Sequence, residues 1–196
     1  MSNTSKMINK SVLQLVDLHP AELQYFISKF KTKLLSTNDY LVEEGSVCTH
    51  IAFINKGLVR YFFNVDGIEK TGQFFFEGGW ISSYASFLSQ KPSEMSLQAL
   101  ENTELLTLHF DDLQQLYSDI PKLERFGRLI AERIFVASTA RNKDLLTQSP
   151  EQNYLKLMKE RPKVIERVPQ FYIAQYLGIQ PESLSRIRKR MMEAKK

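Results

Sequence analysis

Apolar positions fall into three successive textures along this chain, and each predicts a different kind of element. Residues 1–8 carry too little pattern to hold a helix and are expected to fray. Ser11 to Leu18 forms a short helix candidate. After His19 and Pro20 a second helix begins, with Leu23, Phe26, Ile27 and Phe30 on one stripe, ending near Lys31. From Lys33 to Leu108 the period changes to short apolar or alternating runs at Lys33–Leu35, Tyr40–Val42, His50–Asn55, Leu58–Asn64, Glu69–Phe76 and Leu97–Leu108. Glycines 45, 57, 67, 72, 78 and 79 punctuate them, which predicts an antiparallel sandwich or barrel. Within it, Phe62 to Ile68 reads as one hairpin, with Asp66 and Gly67 supplying the turn.

The third texture is helical to the end. Asp111–Tyr117 predicts a helix closed by Asp119 and Pro121, capped by Asp111 or by the neighbours of Phe110. Beyond it, Leu123, Phe126, Ile130, Ile134, Ala137, Arg141 and Leu145 recur at steps of 3, 4, 4, 3, 4 and 4. That is one amphipathic helix of about 25 residues and about 37 Å. A single stripe extending past the body of a compact barrel calls for a partner helix, so Leu123, Phe126, Ile130, Ile134 and Ala137 are expected to line a dimer seam; the competing reading is a long helix lying on its own sheet. Gly127 is the position that would permit a close crossing. Ser149, Pro150 and Glu151 then open a helix in the order cap, first position, acidic first turn. This helix, Tyr154–Lys159, ends before Pro162, and Val164–Val168 leads into the last segment.

That segment, Gln170 to Lys189, places Ile173, Ala174, Leu177, Ile179, Leu184 and Ile187 at helical spacing interrupted once, at Gly178 to Gln180. Two short helices joined by a tight turn follow. Gly178 supplies the positive φ of the reversal, and Pro181 sits in the first turn of the second helix with Gln180 near its cap. The second helix buries Leu184 and Ile187 and leaves Glu182, Ser183, Arg186, Lys189 and Arg190 facing out. A basic, hydrogen-bonding helix face propped on another helix is what a DNA major groove accepts. The competing reading is an ordinary helical hairpin with a solvated charged face.

Composition narrows the class. A chain of 196 residues that is 43% hydrophobic and 24% charged reads as soluble and globular, with one large or two small domains. No apolar run approaches the roughly 20 residues that span a bilayer, and MSNTSKMINK lacks the apolar core of a signal peptide. A single cysteine, Cys48, suits a reducing cytosol, so a cytoplasmic location without membrane partners is expected. The net charge of +4 is unevenly placed: Ser149–Lys196 holds 11 Lys or Arg against 5 Asp or Glu, giving +6, and the rest holds 15 against 17, giving −2. The positive excess therefore belongs to the segment with the two-helix unit, where release of counterions from a polyanion would use it. No Ser, His and Asp cluster, no carboxylate pair in a catalytic motif and no G-x-x-x-x-G-K loop appears, so no catalytic residue is assigned and no enzyme is expected. Cys48 and His50 form a Cys-x-His pair, too few ligands for a metal, and the three histidines read as caps or surface residues. One cysteine cannot hold an iron–sulfur cluster, and no cofactor is assigned.

Barrel, long helix and two-helix unit, in that order and at this length, resemble the Crp/Fnr family of bacterial transcription regulators. The stretches that carry the resemblance are 44-EGSVCTHIAFINKGLVRYFF-63 and 168-VPQFYIAQYLGIQPESLSRIRKRM-191. It implies an α+β fold: an N-terminal antiparallel β-barrel or jelly roll of cyclic-nucleotide-binding type over residues 1–120, a dimerisation helix over 121–148 and a helix-turn-helix DNA-binding domain over 149–196. It implies a cytoplasmic homodimer that binds double-stranded DNA, with RNA polymerase as a further partner. By resemblance, Arg186 would reach guanine, Glu182 would accept from cytosine, and Ser183 would contact base or phosphate. Gln170 and Gln180 would hold phosphates at the two helix starts, with Arg188 and Lys189 as weaker backbone contacts. Where family members often carry Arg before the Glu, this chain has Pro181, so its base preference should differ.

The barrel departs further. Members that bind cyclic nucleotides have, in the segment matching 78-GGWISSYASFLSQKPSEMSLQAL-100, a Glu for the ribose and an Arg followed by Ser or Thr for the phosphate. Here those positions fall on Ser83, Ser93 and Glu94, and no arginine lies between Arg60 and Arg125. A buried phosphate beside a carboxylate and without a guanidinium would be repelled. Cyclic AMP is therefore not the expected effector, and the small molecule sensed, where there is one, is left unassigned. The alternative function is a small-ligand sensor whose helical tail binds a protein instead of DNA.

Overall fold

The computed structural model describes residues 3–193, with side chains from Lys6 onward. Their order is α1 (Asn3–Leu13), α2 (Pro20–Ser28), β1 (Lys31–Leu35), β2 (Tyr40–Val42), β3 (His50–Lys56), β4 (Leu58–Val65), β5 (Ile68–Phe76), β6 (Trp80–Ile81), α3 (Tyr84–Ser89), β7 (Ser96–Ala99) and β8 (Thr103–His109). Six more helices follow: α4 (Phe110–Asp119), α5 (Lys122–Thr147), α6 (Pro150–Glu160), α7 (Pro162–Arg167), α8 (Gln170–Leu177) and α9 (Pro181–Glu193). Contacts group them into two compact units, one of residues up to Tyr61 with Phe74–Phe135, the other of Phe62–Gln73 with Val136–Lys196. The division crosses α5 between Phe135 and Val136 and assigns most of the β4–β5 hairpin to the C-terminal unit.

Two four-stranded sheets, β1-β8-β3-β6 and β2-β7-β4-β5, give the predicted antiparallel architecture. β3 pairs antiparallel with β8 from His50↔His109 to Ile54↔Leu105, and β1 pairs with the other edge of β8. Burial on both faces explains the unbroken apolar runs in β3 and β8, where Ala52, Phe53, Ile54, Leu105, Leu106 and Leu108 are all buried. The run expected as one strand from Leu97 to Leu108 is broken into β7 and β8. Asn102 interrupts it, its side-chain oxygen accepting from Thr37 N at 3.2 Å, and the Thr103 hydroxyl donates to the Glu101 carbonyl at 2.8 Å. The short β6 and α3 were not legible as elements, because a two-residue strand and a six-residue helix are too short to show a period.

Helices close the first unit. The N-terminal residues expected to fray form α1 from Asn3, because Ile8 and Val12 find cover in the core; Met1 and Ser2 lie outside the described residues. Trp80 organises the centre. Its ring meets Phe53 at 5.1 Å, Phe126 at 5.2 Å and Phe30 at 6.1 Å, all edge-on, and its indole N–H donates to Ser11 Oγ at 2.9 Å. Two histidines cap helices. His19 Nδ1 accepts from Ala21 N while Glu22 returns a bond to His19 N, and His109 Nδ1 accepts from Asp111 N at 3.2 Å. The cap of α4 is thus His109.

α5 spans 26 residues, the predicted length, but its stripe is divided. Leu123 and Phe126 are buried in the core of their own unit, which removes them from any seam with a partner helix; Ile130 is half-buried, and Ile134 and Ala137 are exposed. Phe135 at 72%, Val136 at 65% and Leu146 at 86% exposure are uncovered apolar residues of α5 outside the predicted stripe. Gly127 serves an approach within the chain: a Cβ there would lie 2.1 Å from the Tyr117 hydroxyl, so the glycine admits Tyr117 of α4 rather than a partner helix.

Tyr117 is pushed up to about 12 by burial first, then by Tyr84 and Glu124. A phenol whose folded pKa lies above the unfolded value of about 10 contributes stability that is whole below pH 10 and fades as pH rises towards 12. Tyr117→Phe is expected to flatten the alkaline fall of the urea midpoint between about pH 10 and 12, leaving the smaller share due to Tyr25 and Tyr84. An unchanged slope in that window would assign the fall to other groups.

Candidate nucleic-acid interface

The C-terminal unit builds its core from Tyr154, Leu157, Val164, Val168, Ile173, Ala174, Leu177, Leu184 and Ile187, all buried. α6 starts as predicted, with Ser149 and Gln152 forming a reciprocal capping box and Pro150 at the first position. Its Lys156 pairs with Asp144 of α5 at 2.6 Å, and Asn153 donates to the Asp144 carbonyl at 3.3 Å. Arg141 lies 3.6 Å above the Tyr176 ring and donates to the Tyr176 carbonyl, which places α8 against the end of α5. The β4–β5 hairpin turns at Asp66 (φ 53°) and Gly67 (φ 79°), as predicted. Further along it, Thr71 donates to Gln175 at 2.7 Å, and Gln73 accepts from Arg161.

α8 ends where the sequence predicts. Gly178 adopts φ 70°, and Ile179 N reaches back to the Ala174 carbonyl at 3.0 Å, the bond that turns the chain sharply out of a helix. A Cβ at Gly178 would meet nothing within 4 Å, so the demand is for backbone conformation and not for space. The Gln180 carbonyl then accepts from Ser183 N and Leu184 N, opening α9 with Pro181 in its first turn.

Burial of Leu184 and Ile187 sets the outward face of α9. Glu182, Ser185, Arg186 and Lys189 are exposed at spacings of i, i+3, i+4 and i+7, one continuous stripe. Ser183 is half-buried and its hydroxyl accepts from the Arg186 guanidinium at 3.3 Å, so it steadies Arg186 from beside the stripe. Ser185, which the sequence reading did not single out, is the serine on the stripe; a helical projection about Leu184 and Ile187 separates the two serines. Gln170 and Gln180 are exposed at the starts of α8 and α9. Arg188 is half-buried, and the exposed Arg190 pairs with Glu151 of α6 at 2.7 Å.

In the barrel, the three positions matched to a cyclic-nucleotide site have a different chemistry. Ser83 and Ser93 are 1% and 3% exposed and hydrogen-bond each other, Oγ to Oγ, at 2.7 Å. Ser93 is held further by backbone bonds: Gly45 N donates to its carbonyl at 2.7 Å, and its own N donates to the Ser46 carbonyl at 2.8 Å. Glu94 is exposed. Arg60, 1% exposed, donates to Gln98 Oε1 from Nε at 3.0 Å and Nη2 at 2.7 Å. Cys48 and His50 do not converge on a point. The Cys48 thiol lies 3.3 Å from the His50 carbonyl, while the His50 ring meets His109 edge-on at 4.8 Å. Among the described residues, no group of three or more His, Cys, Asp or Glu could hold a metal ion, and no helix is long and apolar enough to cross a membrane.

Residues 32–119 match the cyclic nucleotide-binding domain family. A search of curated proteins finds no match. Solved structures similar to this one include a protein assigned to the Crp/Fnr family of transcriptional regulators from Eubacterium rectale, 15% identical, with a TM-score of 0.72 over 98% of this chain and 89% of that one. The c-di-GMP-responsive global regulator CLP of Xanthomonas campestris is 18% identical, with a TM-score of 0.71 over 90% of this chain and 93% of that one. The catabolite activator protein of Thermus thermophilus is 22% identical, with a TM-score of 0.57 over 94% and 87%. Residues 32–119 thus resemble a cyclic nucleotide-binding domain, and the chain shares its fold with transcription regulators of the Crp/Fnr type.

Proposed function

We propose that this protein is a homodimeric, sequence-specific DNA-binding transcription regulator that does not respond to cyclic AMP. The observation that carries the reading is the exposed stripe Glu182, Ser185, Arg186 and Lys189 on α9, propped by the buried faces of α8 and α9. Such a stripe offers a carboxylate for cytosine N4, a hydroxyl, a guanidinium for guanine O6 and N7, and an ammonium for phosphate. Gln170 and Gln180 hold backbone phosphates at the helix starts, and Arg188 is a lesser contact. The uncovered apolar residues Ile134, Phe135, Val136 and Ala137 of α5 support pairing with a second copy, whose recognition helix would read the other half of a pseudo-palindrome. RNA polymerase is the partner that a regulator of this kind would engage.

The Ser83–Ser93 pair supports the negative half of the reading. Both hydroxyls are committed to each other or to the backbone in a buried loop, and the segment 78–100 that carries them contains no arginine to offset the charge of a phosphate placed there. Selection of bound fragments from random duplex DNA is expected to enrich an inverted repeat with half-sites about one helical turn apart. Calorimetry with cyclic AMP is expected to show no binding. A helical tail that binds protein instead would enrich no sequence and show no dependence of DNA retention on salt.

A further inference from the structure

The α9 stripe leaves an exposed aromatic ring of the same two-helix unit without a use. Phe171, the second residue of α8, is 54% exposed, with its ring edge-on to Tyr172 at 5.5 Å. The same helix buries Ile173, Ala174, Tyr176 and Leu177, so the core face is already filled and Phe171 points away from it. Its sequence neighbours Pro169 and Gln170 are exposed too, and they are not a broad apolar patch of the kind a protein partner covers. In a two-helix DNA reader the supporting helix crosses the sugar–phosphate backbone while its successor enters the groove. An aromatic ring beside a hydrogen-bonding Gln170 at the start of that helix can meet the apolar parts of a duplex.

We infer that Phe171 is a nonionic contact to DNA. Its ring covers deoxyribose C–H groups or a thymine C5-methyl at the groove edge, next to the phosphate assigned to Gln170. The inference rests on the DNA-binding reading above and adds a contact whose energy comes from removal of apolar surface from water, not from counterion release.

The two sources of affinity separate in a salt titration on the selected duplex. Phe171→Ala is expected to weaken binding about 5- to 30-fold at every salt concentration, the share of a phenylalanine's burial that half-covering its ring would supply. The slope of log K against log salt stays that of the unaltered protein. Lys189→Ala, by contrast, lowers that slope by about one. Phe171→Leu retains most of the affinity. Replacing thymine by deoxyuracil at the positions flanking each half-site distinguishes the two surfaces: a loss that vanishes in Phe171→Ala assigns the methyl group, and no loss assigns the sugar. Since the ring is exposed, thermal midpoints of both variants should match the parent; if Phe171→Ala is less stable, Phe171→Gln carries the test. Unchanged affinity in a folded variant, or a reduced salt slope, overturns the inference. Failure of the unaltered protein to select any duplex would instead overturn the DNA-binding reading itself.

Discussion

Arg186→Ala should abolish the preference for one base pair in each half-site while leaving binding to random DNA nearly intact. Arg186 is exposed in the middle of the α9 stripe, and its guanidinium is steadied by the Ser183 hydroxyl at 3.3 Å. A planar fork held in one orientation matches the two acceptors of guanine, a contact worth about 1–3 kcal/mol of discrimination. Relative affinities on a duplex series with each base pair replaced in turn should therefore lose about 5- to 150-fold of contrast at a single position. Lys189→Ala should weaken the whole series uniformly, because an ammonium on a flexible stem meets phosphate without regard to sequence. Equal losses on specific and random duplexes for Arg186→Ala would place that side chain on the backbone and remove it from base reading. Ser183→Ala should produce a milder version of the same loss, acting through the orientation of Arg186.

The largest effect on stability is expected at Gly57, between β3 and β4. Its φ is +110°, and a Cβ built there would lie 2.7 Å from Thr103 Cα and 2.8 Å from Thr103 Cβ. The first is buried main chain at the start of β8, paired with Leu35 of β1, and cannot swing aside, unlike the tip of a flexible side chain. Moving it would also disturb the bond from Leu58 N to the Thr103 hydroxyl at 3.3 Å. Strained backbone and overpacking each cost about 1–3 kcal/mol, so Gly57→Ala should destabilise by about 3–5 kcal/mol. For a chain of this size that corresponds to a fall in Tm on the order of 10 °C. Gly45→Ala is the control. Its φ of +83° carries the backbone cost, but its Cβ would meet nothing within 4 Å, so the loss should be much smaller. Equal losses at the two positions would mean that conformation alone, and not the contact with Thr103, sets the cost.

Strands β1 to β5, the Asp66–Gly67 hairpin, the 26-residue α5 and the two helices around Gly178 were legible because each is specified by residues close in sequence. A period of two or of 3.6 needs only a few turns of chain to declare itself, and a glycine at a helix end has one dominant use. The same local reading located the excess positive charge in the last 48 residues and the absence of a guanidinium in the barrel cassette. It also assigned the positions Ser83 and Ser93 from the family pattern.

What the buried surfaces meet was not legible. Periodicity identified the α5 stripe but could not say that its first two members, Leu123 and Phe126, would be buried in the core of the same chain, Phe126 against Phe26 and Trp80. It proposed Gly127 for a crossing helix where the folded chain supplies Tyr117. On α9, Ser183 and Ser185 lie two helical steps of about 100° apart, and a helical projection about Leu184 and Ile187 would have placed Ser185 on the outward stripe. The amino-acid order alone therefore determined the longer strands, the Asp66–Gly67 turn, the long helix, the two-helix unit and where the charge lies, since these depend on neighbours along the chain. Tertiary structure decided the Ser83–Ser93 pairing, the division of the α5 stripe and the use of Gly127, because each depends on atoms that folding brings together from separate elements.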